Sequence, residues 1–367
     1  MTNYLKSNKL IAFAALAFFF FCDARLHAQV DFKPVFTTLR LEARADFDVN
    51  SIDNSLSYGF TGRYFNLHIG GNLNDKFTYY FRQRIVANPG SVSMFDNTDF
   101  LYLNYNPSKQ WTFRLGKDAL AVGGFEYDAP PINVLFNSYY WGVFYCFQLA
   151  ATAAYNFSDG NQTVIAQVGN SPYIHYGSQY DNSLLSYNFF WSGRFGHFRT
   201  LYSCNFFQRD PDHFMNYIAL GHEVEYEKWD LYVDFIHHAN STTQLFKNYG
   251  IISCANAYFN PNFSIFVKGG FEQNQDADEM SYFQLTGKSW DCLAVPGQNF
   301  TFAGIGFEIR PKACHDVRIH GFVADFKANQ YIAATALRPA IENNSHNVNA
   351  NLGITWDMNI LQQLHRK

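Results

Sequence analysis

The charged residues of this chain fall on alternate positions. From Leu39 the order is Leu-Arg40-Leu41-Glu42-Ala43-Arg44-Ala45-Asp46-Phe47, with every charge two residues from the next. Side chains two apart share one face of a β-strand. Arg40, Glu42, Arg44 and Asp46 therefore line one face and the apolar residues line the other. Charges fixed on a wall that faces water do no covalent chemistry; they attract or repel ions, as charge rings do at a channel constriction. The same alternation predicts Arg63, Arg82, Arg84, Arg114, Lys268 and Arg318 on the wet face. Glu223, Glu225, Asp234 and Glu272 join them there. Arg82 and Arg84 stand about 6–7 Å apart at strand rise. With Arg40 and Arg44 they form a candidate anion-attracting strip, weighed against a solvated wall of mixed sign.

Other chemistry finds little support. A connection over Asp118–Tyr140 carries Gly123-Gly124, Glu126 and Asp128, with Asp118 at its start. It is a candidate constriction loop or, failing that, a surface cap. His237-His238 beside Asp234 could bind a metal, but adjacent residues on a strand point opposite ways. The run Asn274–Glu279 starts like a calcium loop, yet Glu279 stands where glycine is needed and Leu285 where the bidentate glutamate belongs. There is no G-x-S-x-G, H-E-x-x-H or Walker-type loop. No cofactor and no metal is expected, and the chain is not expected to be an enzyme. A barrel lipase would need a Ser/His/acid set, and none stands out.

The elements that must position these charges are strands. Hydrophobic residues make up 48% of the 367 residues, but charged residues only 16%, against about 25% in soluble domains. The difference is taken up by 39 Phe, 24 Tyr and 6 Trp and by polar uncharged residues. Mean hydropathy is −0.21, too low for a helical membrane protein, and the aromatic content excludes disorder. What remains is β structure with one face in lipid and one in water. Alternation recurs at Phe65–Ile69, Phe77–Arg82, Ile218–Tyr226, Phe263–Glu272, Val317–Val323 and Asn347–Ile360.

Seven short turns are predicted near Asn72–Lys76, Asn106–Gln110, Ser158–Asn161, Gly193–Gly196, Glu227–Trp229, Asn260–Asn262 and Arg310–Cys314. Between them lie eight longer connections: Asp48–Tyr58, Asn88–Asn97, Asp118–Tyr140, Asn170–Asn182, Arg209–Met215, His238–Lys247, Gln273–Gln298 and Asp325–His346. This predicts an all-β fold, a 16-stranded antiparallel transmembrane β-barrel with short periplasmic turns and long extracellular loops. Lipid offers backbone groups no partner, so a spanning sheet must close on itself. The uncharged stretch Ala129–Ser158 could pass for a helix from Tyr139; the turn at Ser158–Asn161 and the alternation after it favour a strand.

Lys6 and Lys9 precede an uncharged run, Leu10–Cys22, shorter than the roughly 20 residues a spanning helix needs. This reads as a signal peptide over residues 1–28, cleaved before Gln29, leaving residues 29–367 as the barrel. The remaining chain is net negative, so no nucleic-acid partner is expected. Cys146, Cys204, Cys254, Cys292 and Cys314 are irregularly spaced and make no disulfide framework.

Two stretches carry a family resemblance. Phe65–Arg84 (FNLHIGGNLNDKFTYYFRQR) and Asp99–Glu126 (DFLYLNYNPSKQWTFRLGKDALAVGGFE) resemble the hairpins of the phosphate-selective porin O/P family, and the Ala-Gln cleavage region resembles its Bacteroides-type members. The resemblance implies a passive channel of the Gram-negative outer membrane, passing small hydrophilic solutes or ions, phosphate among them, and a homotrimer. Outer-membrane lipids, lipopolysaccharide and the barrel-assembly machinery are its implied partners. A barrel serving as scaffold or adhesin is the alternative. The family's terminal aromatic is not matched, because the chain runs past Trp356 into a polar tail. The mixed lumen charge gives no ground for carrying phosphate preference over from the family.

Overall fold

A computed structural model describes residues 35–53, 55–85, 95–142, 146–173, 183–239, 247–275, 297–314, 316–332 and 340–365. The predicted signal peptide lies outside them. So do residues 276–279 and Leu285 of the calcium-like run.

Sixteen strands form one closed antiparallel barrel, each paired with its sequence neighbours. They are β1 Val35–Ile52, β2 Ser55–Asn72, β3 Phe77–Arg84, β4 Thr98–Tyr105, β5 Trp111–Ala119, β6 Phe147–Asn156, β7 Gln162–Asn170, β8 Leu185–Phe195, β9 Phe198–Asp210, β10 His213–Tyr226, β11 Trp229–Ala239, β12 Tyr249–Asn260, β13 Phe263–Asn274, β14 Gln298–Ile309, β15 Val317–Ile332 and β16 Ile341–Asn359. The seam joins the first strand to the last, from Arg40 opposite Asn359 to Ile52 opposite Asn347.

The two faces sort as the alternation requires. Leu103, Leu115, Val164, Ile218, Val267, Ile305, Val323 and Ile354 are exposed on the outside. An outward depression between Val323, Leu352 and Phe47 has Gly306 and Gly321 on its walls. At the short-turn end an aromatic girdle stands where the lipid interface belongs: Trp111 on Phe113 at 5.6 Å and on Tyr155 at 4.9 Å, and Tyr226 on Trp229 at 4.8 Å.

The seven short turns fall where predicted. Two of the eight long connections do not exist as loops. In place of Asp48–Tyr58, β1 and β2 pair as far as Ile52 opposite Ser55. In place of Arg209–Met215, β9 runs to Asp210 and β10 begins at His213. Asp325–His346 is likewise mostly strand, paired from Asp325–Val348 to Ile332–Ile341. The cause is physical. Beyond the lipid both faces of a strand meet water, so pairing can continue after hydrophobic alternation stops, as on β15, whereas on β2 Leu56 and Tyr58 keep the outer face apolar through the extension. On the outer face of β15 the change occurs between Val323, which is apolar and exposed, and Asp325, which pairs with Lys327 at 3.2 Å and with His346.

The ambiguous stretch Ala129–Ser158 divides. Its second part is strand β6, while Pro131–Asn133 and Tyr139–Gly142 are short helical turns within the β5–β6 connection. The last strand gives way to a short helix, Ile360–His365.

The barrel is not hollow throughout. Met215, Tyr217, Ala219, Ile236, Ile252, Phe300, Phe302, Phe322 and Ala324 are buried together with Leu120, Val122, Phe136 and Tyr140 of the β5–β6 connection. An apolar core therefore lies inside the barrel along β10–β15. The expectation of a wholly polar inner face is corrected there. Apolar residues face inward where another part of the chain covers them.

Candidate pore constriction

Residues 120–142 touch the inner wall on opposite sides of the ring. Gly123 N–H donates to Ser203 Oγ of β9 at 2.8 Å. Arg44 of β1 donates to the Val134 carbonyl at 2.9 Å, and Arg318 of β15 to the Ile132 carbonyl at 3.0 Å. Strands β1 and β9 are eight positions apart in a ring of sixteen. A segment that reaches both must cross the interior.

Its path follows from its glycines. Gly124 has φ of 100°, which favours glycine, and a Cβ on Gly123 would stand 2.6 Å from the Leu201 carbonyl. The backbone can therefore lie directly on β9–β11. There the Phe125 and Glu126 N–H groups donate to the two Asp234 oxygens at 2.8 and 2.9 Å. Further along, the Tyr139 and Tyr140 N–H groups donate to Glu272 at 2.8 and 3.1 Å. Between these wall carboxylates sits Glu126, 1% exposed. It accepts from the Ser138 N–H at 3.0 Å and from the Ser138 hydroxyl. Lys268 lies 2.6 Å from it and also donates to the Phe136 carbonyl at 2.7 Å. Phe136 is buried against Phe322 at 5.0 Å; full burial of such a ring contributes about 1.5–3 kcal/mol. The segment is held by buried polar contacts with partners on both sides, the condition under which such contacts are stable.

The sector β16–β5 remains polar, and its cations are paired. Arg40 bonds Glu42 at 3.0 Å and also Asp357. Arg44 meets Asp46 at 2.8 Å. Arg63 lies 3.2 Å from Asp46 and 2.6 Å from Asp48. Arg82 and Arg84 share one carboxylate, Asp99, each at 2.9 Å. Arg114 meets Asp118 at 2.6 Å, and Arg318 meets Glu308 at 3.0 Å. With Lys268 on Glu126, each of the eight predicted lumen cations has a carboxylate partner.

Of the three acids predicted for the loop, Asp118 lies within β5 as the partner of Arg114, and Glu126 is consumed in the latch. Asp128 is exposed. The protein around Asp128 raises its pKa, against the opposing charge of Arg199. His238 is buried beside Tyr217, ring centroids 5.7 Å apart, and among the described residues no His/Cys/Asp/Glu group of three could hold a metal. Cys146, Cys204, Cys254 and Cys314 are free.

Two β-bulges set ion-pair partners that alternation cannot show. The β1–β2 register shifts between Arg44 and Ala45, leaving Arg63 without a partner opposite; it turns to Asp46 and Asp48. The β3–β4 register shifts between Arg82 and Gln83, leaving Asp99 unpaired, and its carboxylate reaches both arginines. Bulges re-aim side chains in this way, and no period-2 pattern reveals them.

The model of the family described as phosphate-selective porin O and P matches residues 36–189. No curated protein matches the chain by sequence. Solved porins share its fold. An anion-selective porin from Comamonas acidovorans is 10% identical, covering 89% of this chain and all of its own (100%), with a TM-score of 0.57. The outer membrane channel DcaP of Acinetobacter baumannii is 12% identical, covering 87% and 97%, with a TM-score of 0.52. The trimer form of OmpT from Vibrio cholerae is 9% identical, covering 89% and 100%, with a TM-score of 0.52. The chain is thus a closed sixteen-stranded barrel of porin fold, matched over residues 36–189 to the model of the phosphate-selective porin O and P family.

Proposed function

We propose that the protein is a porin through which small hydrophilic solutes and ions diffuse across the outer membrane, narrowed by residues 120–142. The observation that carries this reading is the crossing of the barrel by a segment latched to β9, β11, β13, β15 and β1, beside a sector β16–β5 that keeps a charged, water-compatible wall. Passage then depends on size and on local charge, and no covalent step is involved. Because the cations are paired, preference among ions is set by the few groups with charge to spare. Arg84, 43% exposed and sharing Asp99 with Arg82, is the leading one, and exposed Asp128, whose charged neighbour is Arg199, is of the opposite sign. Phosphate preference does not follow from this arrangement. We also propose export through the 1–28 signal peptide, insertion by the barrel-assembly machinery among lipid and lipopolysaccharide, and a homotrimer, as in the trimer form of the OmpT neighbour.

A second reading draws on the apolar core along β10–β15: a barrel plugged by its own loops, serving as a scaffold. Liposome swelling separates the two. Vesicles holding the assembled protein should admit arabinose faster than a disaccharide and exclude dextran. Swelling no faster than in empty vesicles, with the protein assembled, would overturn the porin reading.

A further inference from the structure

The inner wall over β2–β6 carries a continuous aromatic surface overlaid by arginines, which the pore reading does not require. Ring centroids lie 6.1 Å apart for His68 and Tyr80, 5.7 Å for Tyr80 and Phe100, 5.8 Å for Tyr80 and Tyr102, and 5.1 Å for Phe100 and Phe147. The Arg82 guanidinium stands 4.5 Å from the Phe100 ring and 5.1 Å from Phe147, Arg84 stands 5.8 Å from Phe147, and Arg114 stands 4.0 Å from Tyr102.

Glycines lay the rings against the wall. Gly70 is opposite Tyr80, and a Cβ there would come 3.1 Å from the ring. Gly116 is opposite Tyr102, with φ of 139°, and a Cβ there would stand 2.2 Å from the Leu101 carbonyl. The Tyr80 ring thus lies over a position that no larger residue can fill, and the backbones of β4 and β5 approach closely beneath Tyr102. Such an arrangement goes beyond filling space, which aliphatic side chains do equally well.

Charge selects the ligand. Arg82 and Arg84 hold one carboxylate between them, so the pair keeps a positive excess. Arg84 and Arg114 are also the accessible members, with side chains 43% and 30% exposed. A guanidinium seated on a ring face still offers its edge N–H groups to a carboxylate. Half-buried Phe100, Tyr102 and Phe147, with the guanidinium planes seated on them, form a stacking surface within reach of that edge.

We propose that this patch binds planar aromatic carboxylates, the ring stacked on the wall aromatics and the carboxylate on Arg84. The proposal rests on the lumen being water-filled, as in the porin reading. Its test separates the two. Titration calorimetry of the full chain in detergent micelles compares benzoate, cyclohexanecarboxylate and benzylammonium, while potassium chloride conductance is measured independently. Benzoate should bind about tenfold tighter than either control, the size of one stacking and one cation–π increment. Arg84→Gln should weaken both carboxylates by a similar factor. Phe147→Leu should weaken benzoate alone. Equal affinities for benzoate and cyclohexanecarboxylate, or benzoate binding unchanged in Arg84→Gln, would overturn the site. Arg84 is partly exposed, so that variant reads out even where Phe147→Leu fails to assemble. Conductance without benzoate binding removes the site and keeps the pore; benzoate binding without conductance keeps the site and removes the pore.

Discussion

Lys268 of β13 and Glu126 of the β5–β6 connection meet at 2.6 Å, both almost wholly buried. Lys268 is a wall residue and Glu126 belongs to the segment that crosses the barrel, so the contact fastens the obstruction to the wall. Removing one member of a buried pair leaves the other charge without compensation, at about 3–5 kcal/mol. Glu126→Gln is expected to undock the segment while the strand ladder stays intact. Single-channel recordings should then show larger, noisier steps, with heat-modifiable migration on gels unchanged. Adding Lys268→Met should restore much of the quiet behaviour. Steps identical to the parent protein in Glu126→Gln would show that the latch does not hold the segment.

Asp99 sets the charge balance of the arginine pair. Asp99→Asn is expected to shift the reversal potential in a salt gradient toward anion preference, and Arg84→Gln to shift it the other way. Both shifts should grow as salt is lowered, because screening reaches about 8 Å at physiological ionic strength and about 30 Å at 0.01 M. Shifts of the same sign in the two variants would refute the assignment.

Leu41 and Ile319 sit on the outer face between inward residues, Glu42 on β1 and Arg318 and His320 on β15. Arginine on this face costs about 2–4 kcal/mol at the bilayer midplane and about 0–1 kcal/mol at the interfaces; both positions lie in the short-turn half of their strands, so the expected loss falls between these. The expected readout is a lower urea midpoint for folding into vesicles in Leu41→Arg and in Ile319→Arg. Parent-like midpoints in both would place the lipid face wrongly.

Gly353 lies between Asp46 and His320 on neighbouring strands at the seam, and their side chains bond across it at 3.0 Å. A Cβ on Gly353 would come 2.1 Å from Asp46 Oδ1 and 2.4 Å from His320 Nε2. Gly353→Ala is therefore expected to lower the unfolding temperature more than Gly59→Ala, where a Cβ meets open space. The reverse order in thermal melts would contradict the seam geometry.

Much of this was legible in the sequence. Alternation from Leu39 to Phe47 was enough to set the faces of β1, and turn residues located the seven short connections. The extension over Asn343–Asn347 was hidden because those residues are polar where lipid no longer demands an apolar face; at Ser55–Tyr58 the alternation was present, with Leu56 and Tyr58 exposed on the outer face. Asp99 was hidden by a bulge, and the apolar interior by a rule that holds only for a water-filled lumen. Met215 and Tyr217 face inward because residues 120–142 and Tyr173 cover them, a tertiary fact with no local signature. The wall cations could be named one by one, but their carboxylate partners depend on cross-strand register, which pairs Arg40 with Asp357 across 317 residues.

The central claim is that a water-filled path runs beside the crossing segment. Planar-bilayer recording of the assembled full-length protein in potassium chloride tests it most directly. The account expects discrete, ohmic steps whose size rises when Glu126→Gln loosens the segment. A silent bilayer, with barrel assembly confirmed by heat-modifiable migration and with Glu126→Gln equally silent, would contradict it.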